Sequence, residues 1–375
     1  MKTKMCEMFG IEAPIFAFSH CRDVVVEVSK AGGFGVLGMA RKNKELVDAD
    51  LKWIDDHIDG KPYGIDVLMP MKYERTRADL RLDAEKLIPP EHMEFVRKML
   101  DDAGIPRLPE QQADAIRGEL LSAHNSTPEE SMEMIKIALR HPIRLIVNAL
   151  GTPPREVVEL AHARGIKVAG LAGDVKHALL QKAAGCDFIV AVGTEAGGHT
   201  GNISSMVLWP RIVDAVSPTP VLGAGGVGRG RQVAAALALG CEGVWCGSIW
   251  LKTKQSEVVP EIKERLFAAR SEDAVLTKSV TGKQCRTLRN KFTEAYTLPG
   301  APAPLQAPLQ GILWWSEGRT RVERVRTHEN AKPFLTYPCG QIVGDMTEEA
   351  SVKDVVYQML SELADAKERL DGIFA

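Results

Sequence analysis

A (β/α)8 barrel, carrying a helical insertion after its third strand and a smaller C-terminal cap region, is the fold this chain predicts. Short β-prone runs alternate with helix-like segments, and most helices end in glycine just before the next strand begins: Ala31-Gly-Gly, Arg164-Gly165, Ala184-Gly185 and Leu239-Gly240. A C-capping glycine followed at once by a strand is the schedule of parallel βαβ units. Eight such strands fit a barrel of about 250 residues, although period and length alone leave a doubly wound sheet open.

The strands are expected at Pro14–Phe18, Phe34–Leu37, Tyr63–Leu68, Arg144–Asn148, Lys167–Leu171, Asp187–Val192, Pro220–Gly223 and Gly243–Cys246. Helices are expected at Arg22–Ala31, Arg155–Arg164, Val175–Ala184, Val207–Val216 and Gly230–Leu239. Two blocks break the rhythm. Residues 70–140 are charged, rich in proline and without strand signal, and read as a helical insertion placed to cover the barrel mouth. Residues 253–336 hold a helix-like Glu257–Ala269 and a proline-rich stretch from Leu298 to Leu305, and Thr347 to Leu370 has the apolar spacing of an amphipathic helix. The chain thus divides into a barrel over 1–252 and a cap with its C-terminal helix over 253–375. Trp314 and Trp315 fit a dimer contact, a substrate wall or simple core.

Composition narrows the function. Among 375 residues, 47 basic and 49 acidic side chains leave a net charge of -2, which gives no reason to expect nucleic acid or an anionic membrane as partner. Apolar runs stop far short of the roughly 20 residues of a spanning helix, and Met1 to Gly10 has no apolar signal region, so a cytoplasmic protein is expected. The cysteines at 6, 21, 186, 241, 246, 285 and 339 form no CxxC and no zinc spacing, which predicts free thiols and no metal.

Chemistry concentrates in three glycine-bearing strand ends. Gly193-Thr-Glu-Ala-Gly-Gly-His199-Thr-Gly201 follows the sixth strand, Gly223-Ala-Gly-Gly-Val-Gly228 the seventh, and Cys246-Gly-Ser248 the eighth. The loops after strands 7 and 8 are where such barrels bind phosphate through backbone N–H groups, and Gly225, Gly226, Gly247 and Ser248 fall there. Tight turns without a ligand are the bland alternative. The order suggests a cofactor cradle with a titratable side chain aimed into it, which points to a flavin enzyme. Gly223, Gly225 and Gly228 also scan as a dinucleotide fingerprint, but the acidic residue that motif needs at the end of the next strand is missing.

His199, with an ordinary pKa of about 6.5, can take or give a proton at neutral pH, and the two preceding glycines let a planar group come close. Glu195 either orients the loop or faces solvent. Ser19-His20-Cys21 closes the first strand on the same face, which makes His20 a second candidate for substrate or flavin contact. Asp66 and Asn148 end strands 3 and 4, where polar side chains can meet the cofactor edge. The remaining histidines (57, 92, 124, 141, 162, 177 and 328) read as surface residues, and the basic run Lys283 to Lys291 as a solvated face or a clamp for a phosphate-bearing substrate.

Pro14-Ile15, Ala31 to Gly38, Glu195-Ala-Gly-Gly-His199-Thr-Gly201, Pro220 to Val227 and Gly247-Ser248 together resemble the nitronate monooxygenase family, as do Leu288 to Ala295 and Gly340-Gln341. The resemblance implies non-covalent FMN in a TIM barrel, with its phosphate on Gly225, Gly226, Gly247 and Ser248 and His199 as base or donor near the reacting carbon. Ala17, Phe18, Asp66, Asn148, Gly173, Glu195 and Gly198 are the other expected cofactor contacts. It also implies oxidation of a nitronate with O2. The chain departs from the family in its Phe16-Ala-Phe-Ser-His-Cys21 segment, in Asp66 where many members carry Asn, and in the 70–140 insertion. FMN-dependent enoyl-thioester reductases share the glycine segments, and a related subgroup with a similar first strand is linked to CoA esters of steroid-ring breakdown. A flavin enzyme acting on a CoA thioester is therefore the second expectation. A phosphate-ligand sensor without catalysis is the third, and a homodimer is left open.

Overall fold

The computed structural model describes residues 1–40, 42–69, 88–109, 111–112 and 128–375; the rest of the expected insertion, with His124, lies outside the described residues. Eight parallel strands close into a barrel in chain order: β1 (Ile15–Ser19), β2 (Phe34–Gly38), β3 (Tyr63–Val67), β4 (Leu145–Asn148), β5 (Lys167–Ala172), β6 (Phe188–Val192), β7 (Val221–Ala224) and β8 (Val244–Cys246). Pairing of β1 with β8, Ala17 opposite Cys246, completes the ring and excludes the doubly wound sheet. Each expected strand lies within a residue or two of its place.

Alternation along the strands sorts their side chains into two sets. Ile15, Ala17, Ile65, Val67, Ile189 and Val244 face the helices. Phe16, Phe34, Leu145, Val147, Phe188, Val190, Leu222 and Trp245 fill the barrel interior. Helix α1 (Lys4–Phe9), started by the Thr3 hydroxyl on the Cys6 N–H at 3.3 Å, closes the N-terminal end. Its Phe9 packs on Phe16, Phe34 and Phe188 with ring centroids 5.6, 4.6 and 6.0 Å away. At the opposite end the same interior set gives way to Phe18, Gly38, Asp66 and Gly247, and the site is built there.

Helices α2 (Arg22–Lys30) and α3 (Lys44–His57) flank the first strands; the second of these was not picked out from the sequence. From the insertion, α4 (Pro90–Asp102) and α5 (Pro128–Ala138) are described. The former docks on the C-terminal block: Arg97 pairs twice with Glu317 at 2.9 and 3.1 Å, and the buried Arg321 reaches Asp101 at 2.5 Å and the Pro106 carbonyl at 2.9 Å. Trp314, in a π-helical turn (Trp314–Arg319), is 2% exposed and packs on Phe292 at 4.1 Å, so it is core; Trp315 lies under the Arg319 guanidinium at 4.0 Å.

Two expected surface histidines lie inward instead, His92 buried and His141 half-buried. His92 lies on the inner face of α4, and His141 sits between carboxylates, Nδ1 to Asp55 at 2.6 Å and Nε2 to Asp48 at 3.3 Å. All seven cysteines are free thiols and buried, and burial pushes Cys186, Cys241 and Cys339 up to about 12. No described helix is long and apolar enough to cross a membrane.

After β5 and β6 come α6 (Val175–Ala183) and α7 (Ser205–Val216), and after β7 comes α8 (Gly230–Ala238). The C-terminal helix α9 (Val352–Phe374) lays Val352, Val355, Val356, Met359 and Leu363 against the barrel and docks on α8. The approach is close: a Cβ on Gly230 would stand 2.0 Å from the Met359 carbonyl oxygen. Glu362 caps the start of α8, accepting from the Gly230 N–H and the Arg229 Nε–H, each at 2.8 Å. Gly230→Ala is therefore expected to cost about 2–3 kcal/mol by overpacking, read as a lower urea midpoint with an unchanged barrel circular-dichroism spectrum.

Candidate active site

Three groups of residues meet at the C-terminal ends of the strands. The first is on β1 to β3. Phe18, half-buried, lies near-parallel to Trp245 with centroids 6.1 Å apart and edge-on to His20 at 5.1 Å. The His20 ring occupies the place a side chain on Gly38 would need, 2.7 Å from an ideal Cβ, and its Nδ1 lies 3.0 Å from the Gly38 carbonyl. Glycine at 38 is thus required by the ring beside it. Gly38 pairs in register with Asp66, which alternation turns into the barrel interior. Asp66 is 4% exposed, and its Oδ2 is buried without a partner.

The second group is the loop after β6, and it is braced from two sides. Glu195 accepts from the Ser205 N–H at 3.0 Å and the Ser205 hydroxyl at 2.8 Å, which satisfies backbone at the start of α7. The expectation that Glu195 orients the loop, one of two, matches this arrangement. The other brace is a hairpin of the C-terminal block, β9 (Ala274–Thr277) with β10 (Cys285–Leu288), which sequence reasoning did not find. Gly198 and Arg286 exchange backbone hydrogen bonds at 2.9 and 2.7 Å, and the Arg286 Nε–H donates to the Thr194 carbonyl at 2.9 Å. Gly198 has φ +76 and open space where its Cβ would be.

His199 projects between these braces and is exposed. Its Nδ1 lies 2.9 Å from the Gln284 carbonyl, which can only accept, so Nδ1 carries a proton and, in the neutral tautomer, Nε2 is the basic nitrogen. Gln284 also bonds Asn202 from its side chain. Neither Gln284 nor Ser205 is marked by a motif, and only strand pairing and helix capping reveal them.

The third group is the glycine pair. β7 and β8 are neighbours, Ala224 opposite Trp245, which sets Gly225-Gly226 beside Gly247-Ser248. Gly225 and Gly226 have φ +105 and +73, where a side chain strains the backbone. A Cβ on Gly247 would have Phe18 Cδ1 at 3.9 Å as its nearest neighbour, so the backbone there is approachable. The Ser248 hydroxyl accepts from the Gly340 N–H at 2.7 Å and retains its own proton to donate. Gly173 touches Gly201, closing the rim between β5 and β6.

Several expected residues act otherwise than as exposed groups. Asn148 is fully buried and faces away from the barrel interior. Its amide oxygen accepts from the Met69 and Leu150 N–H groups at 3.0 Å each, and its nitrogen donates to the Met69 carbonyl at 3.1 Å. It therefore holds the loops after β3 and β4. Ala17 offers only backbone, its methyl facing the helices. Arg286 is 7% exposed and braces the hairpin, so it forms no solvated clamp; burial lowers its pKa, with Glu195 opposing. The helix start after β7 is capped by Glu362, so the Gly230 N–H is already engaged within the fold.

The residues fit a bound flavin phosphate and ring on two observations: an orphaned polar atom at Asp66, and approachable backbone at Gly198 and Gly247. Cys21, Asp23 and Glu257 bring ligand atoms within 4.8 Å of one another, but the Cys21 thiol donates to the Gln255 carbonyl at 3.0 Å and burial raises its pKa.

A family model described as nitronate monooxygenase matches residues 2–362. A Mycobacterium tuberculosis (strain H37Rv) protein named "Putative monooxygenase Rv1533" is 46% identical over 378 residues, covering 100% of this chain and 99% of its own. A Staphylococcus aureus (strain Newman) protein named "Probable nitronate monooxygenase" is 27% identical over 307 residues, 78% of this chain and 80% of its own. Among solved structures, nitroalkane oxidase from Streptomyces ansochromogenes superposes with TM-score 0.76 at 24% identity, covering 98% of this chain and 99% of that one. FabK from Thermotoga maritima does so with TM-score 0.70 at 21% identity, covering 100% and 99%. At these identities the two structures bear on the barrel architecture.

Replacing Arg286 by Met is expected to release the Thr194 carbonyl and loosen the His199 loop. The His199 Nδ1–H resonance, protected by the Gln284 carbonyl, should then broaden or vanish in proton–nitrogen spectra, with a stability loss of about 2–3 kcal/mol.

Proposed function

The chain belongs to the nitronate monooxygenase family, and from that premise we propose that it is an FMN-dependent oxidoreductase that oxidises alkyl nitronates with O2. The observation that carries this reading is His199: its Nδ1 is fixed on a backbone carbonyl, its Nε2 is the basic atom, and its loop is braced over the strand ends. When bound, FMN supplies the electron acceptor, chemistry that no side chain here provides.

The chain's own work is to bind, orient and handle a proton. In this reading Gly225, Gly226, Gly247 and Ser248 take the phosphate, the last through its hydroxyl. Phe18, Gly173, Gly198 and Asp66 line the ring, and Ala17 contributes backbone. Asn148 and Glu195 are positioning residues, acting through the loops they hold. His199 holds or accepts the proton at the reacting carbon, and His20, across the mouth, orients substrate. Seven buried reduced thiols fit a cytoplasmic setting. The CoA-thioester alternative drew on the basic run as a clamp, on the 70–140 insertion and on the altered first strand; Arg286, buried and bonded to the Thr194 carbonyl, does not support the clamp.

Purified, FMN-loaded protein should consume O2 when an alkyl nitronate is added without NAD(P)H. In His199→Ala the rate should fall about 100-fold or more with FMN still bound. Absence of uptake from flavin-replete protein would overturn nitronate oxidation, and full activity in His199→Ala would overturn the role of His199.

A further inference from the structure

Asp66 is the one inward-facing acid on the described strands. By register it lies level with Gly38 on β2 and Val147 on β4, and its flanking residues Ile65 and Val67 pack outward on helices. Its carboxyl makes no hydrogen bond or ion pair with any described residue, and Oδ2 is sealed from solvent. Its register partner on β4 is the apolar Val147, and the Phe18 ring lies against Gly38, the register partner of Asp66 on β2. The titratable groups on the neighbouring elements are His20, whose ring lies on Gly38, and Lys42, whose ammonium is held by Asp50 and the His20 carbonyl at 2.8 Å. An ionised carboxylate buried without cation or donor is strongly disfavoured, whereas a neutral acid needs only one acceptor.

Resting on the FMN reading above, we propose that Asp66 meets the bound cofactor as a neutral carboxylic acid and donates its O–H to a hydrogen-bond acceptor on the FMN ring. Burial alone raises the Asp66 pKa well above the usual carboxylate range, in keeping with that form. A protonated Asp and an Asn have the same shape and both present a donor, so the acid can fill a place where an amide would serve. The sign of the pH effect follows. If binding favours the protonated acid, its pKa rises on binding, affinity is full below the pKa of the apo-protein, and affinity is lost as pH rises through it.

The test uses the full chain and FMN itself. FMN affinity is measured by flavin fluorescence quenching for wild type, Asp66→Asn and Asp66→Ala, and infrared difference spectra (FMN-loaded minus apo) are recorded on the wild type. The Asn variant should bind within about threefold of wild type and the Ala variant at least about tenfold more weakly, the loss of one good hydrogen bond to a buried group. The difference spectrum should contain a shifted protonated-carboxyl C=O band that is missing from Asp66→Asn. Carboxylate bands in its place, or an Asn variant as weak as the Ala variant, would overturn the proposal while leaving FMN binding intact. The infrared measurement on wild type decides the matter even where a variant fails to fold. Failure of the wild type to bind FMN at all would overturn the flavin reading and this proposal with it.

Discussion

The exchange of two backbone hydrogen bonds between Gly198 and Arg286 is the contact on which the rest of the site depends. A loop after a barrel strand has no ladder of its own, and its backbone polar groups need partners from elsewhere. Here a hairpin from the C-terminal block supplies them, together with the Arg286 guanidinium on Thr194 and the Gln284 carbonyl on His199. Gly340 and Gln341 join the same junction: the Gln341 N–H donates to the Glu195 carbonyl at 2.9 Å, and a Cβ on Gly340 would stand 2.5 Å from that oxygen. The barrel aims the loop, and the C-terminal block fixes its shape.

The polar groups at this end divide by what they touch. Asn148, Glu195 and Arg286 are engaged by protein partners, and each holds a loop in place. The Asp66 carboxyl has no described partner, and the backbone at Gly247 is approachable. Groups that organise the site are satisfied from within the fold, and groups left unsatisfied are the ones a ligand can complete.

The barrel was legible because its signals are local. A capping glycine, a β-branched run and a helix-length spacer each act within a few residues and mark the strands in order; closure into a ring rests on the β1–β8 pairing, which is not local. The glycine loops were legible for the same reason, since positive φ at Gly225 and Gly226 leaves its mark on the chain. What escaped notice is non-local. The β9–β10 hairpin pairs short segments with no strong pattern, and the burial of Arg286 depends on Ala274 and Thr194, 12 and 92 residues away. Asn148 ended its strand where expected, yet the alternation of Val147 and Asn148 turns it outward, a distinction of one residue in register. His141 looked like a surface residue because its carboxylate partners, Asp48 and Asp55, lie on a helix that was not picked out.

Helix α1 gives the barrel a further property. With Phe9 packed edge-on or tilted against three phenylalanines at the N-terminal end, the interior is a closed-bottomed vessel filled with rings rather than a tunnel. A small molecule at the strand ends therefore has no passage through the barrel interior among the described residues, so arrival and departure both take place at the C-terminal rim. Traffic, as well as chemistry, then falls to the segments that frame the rim.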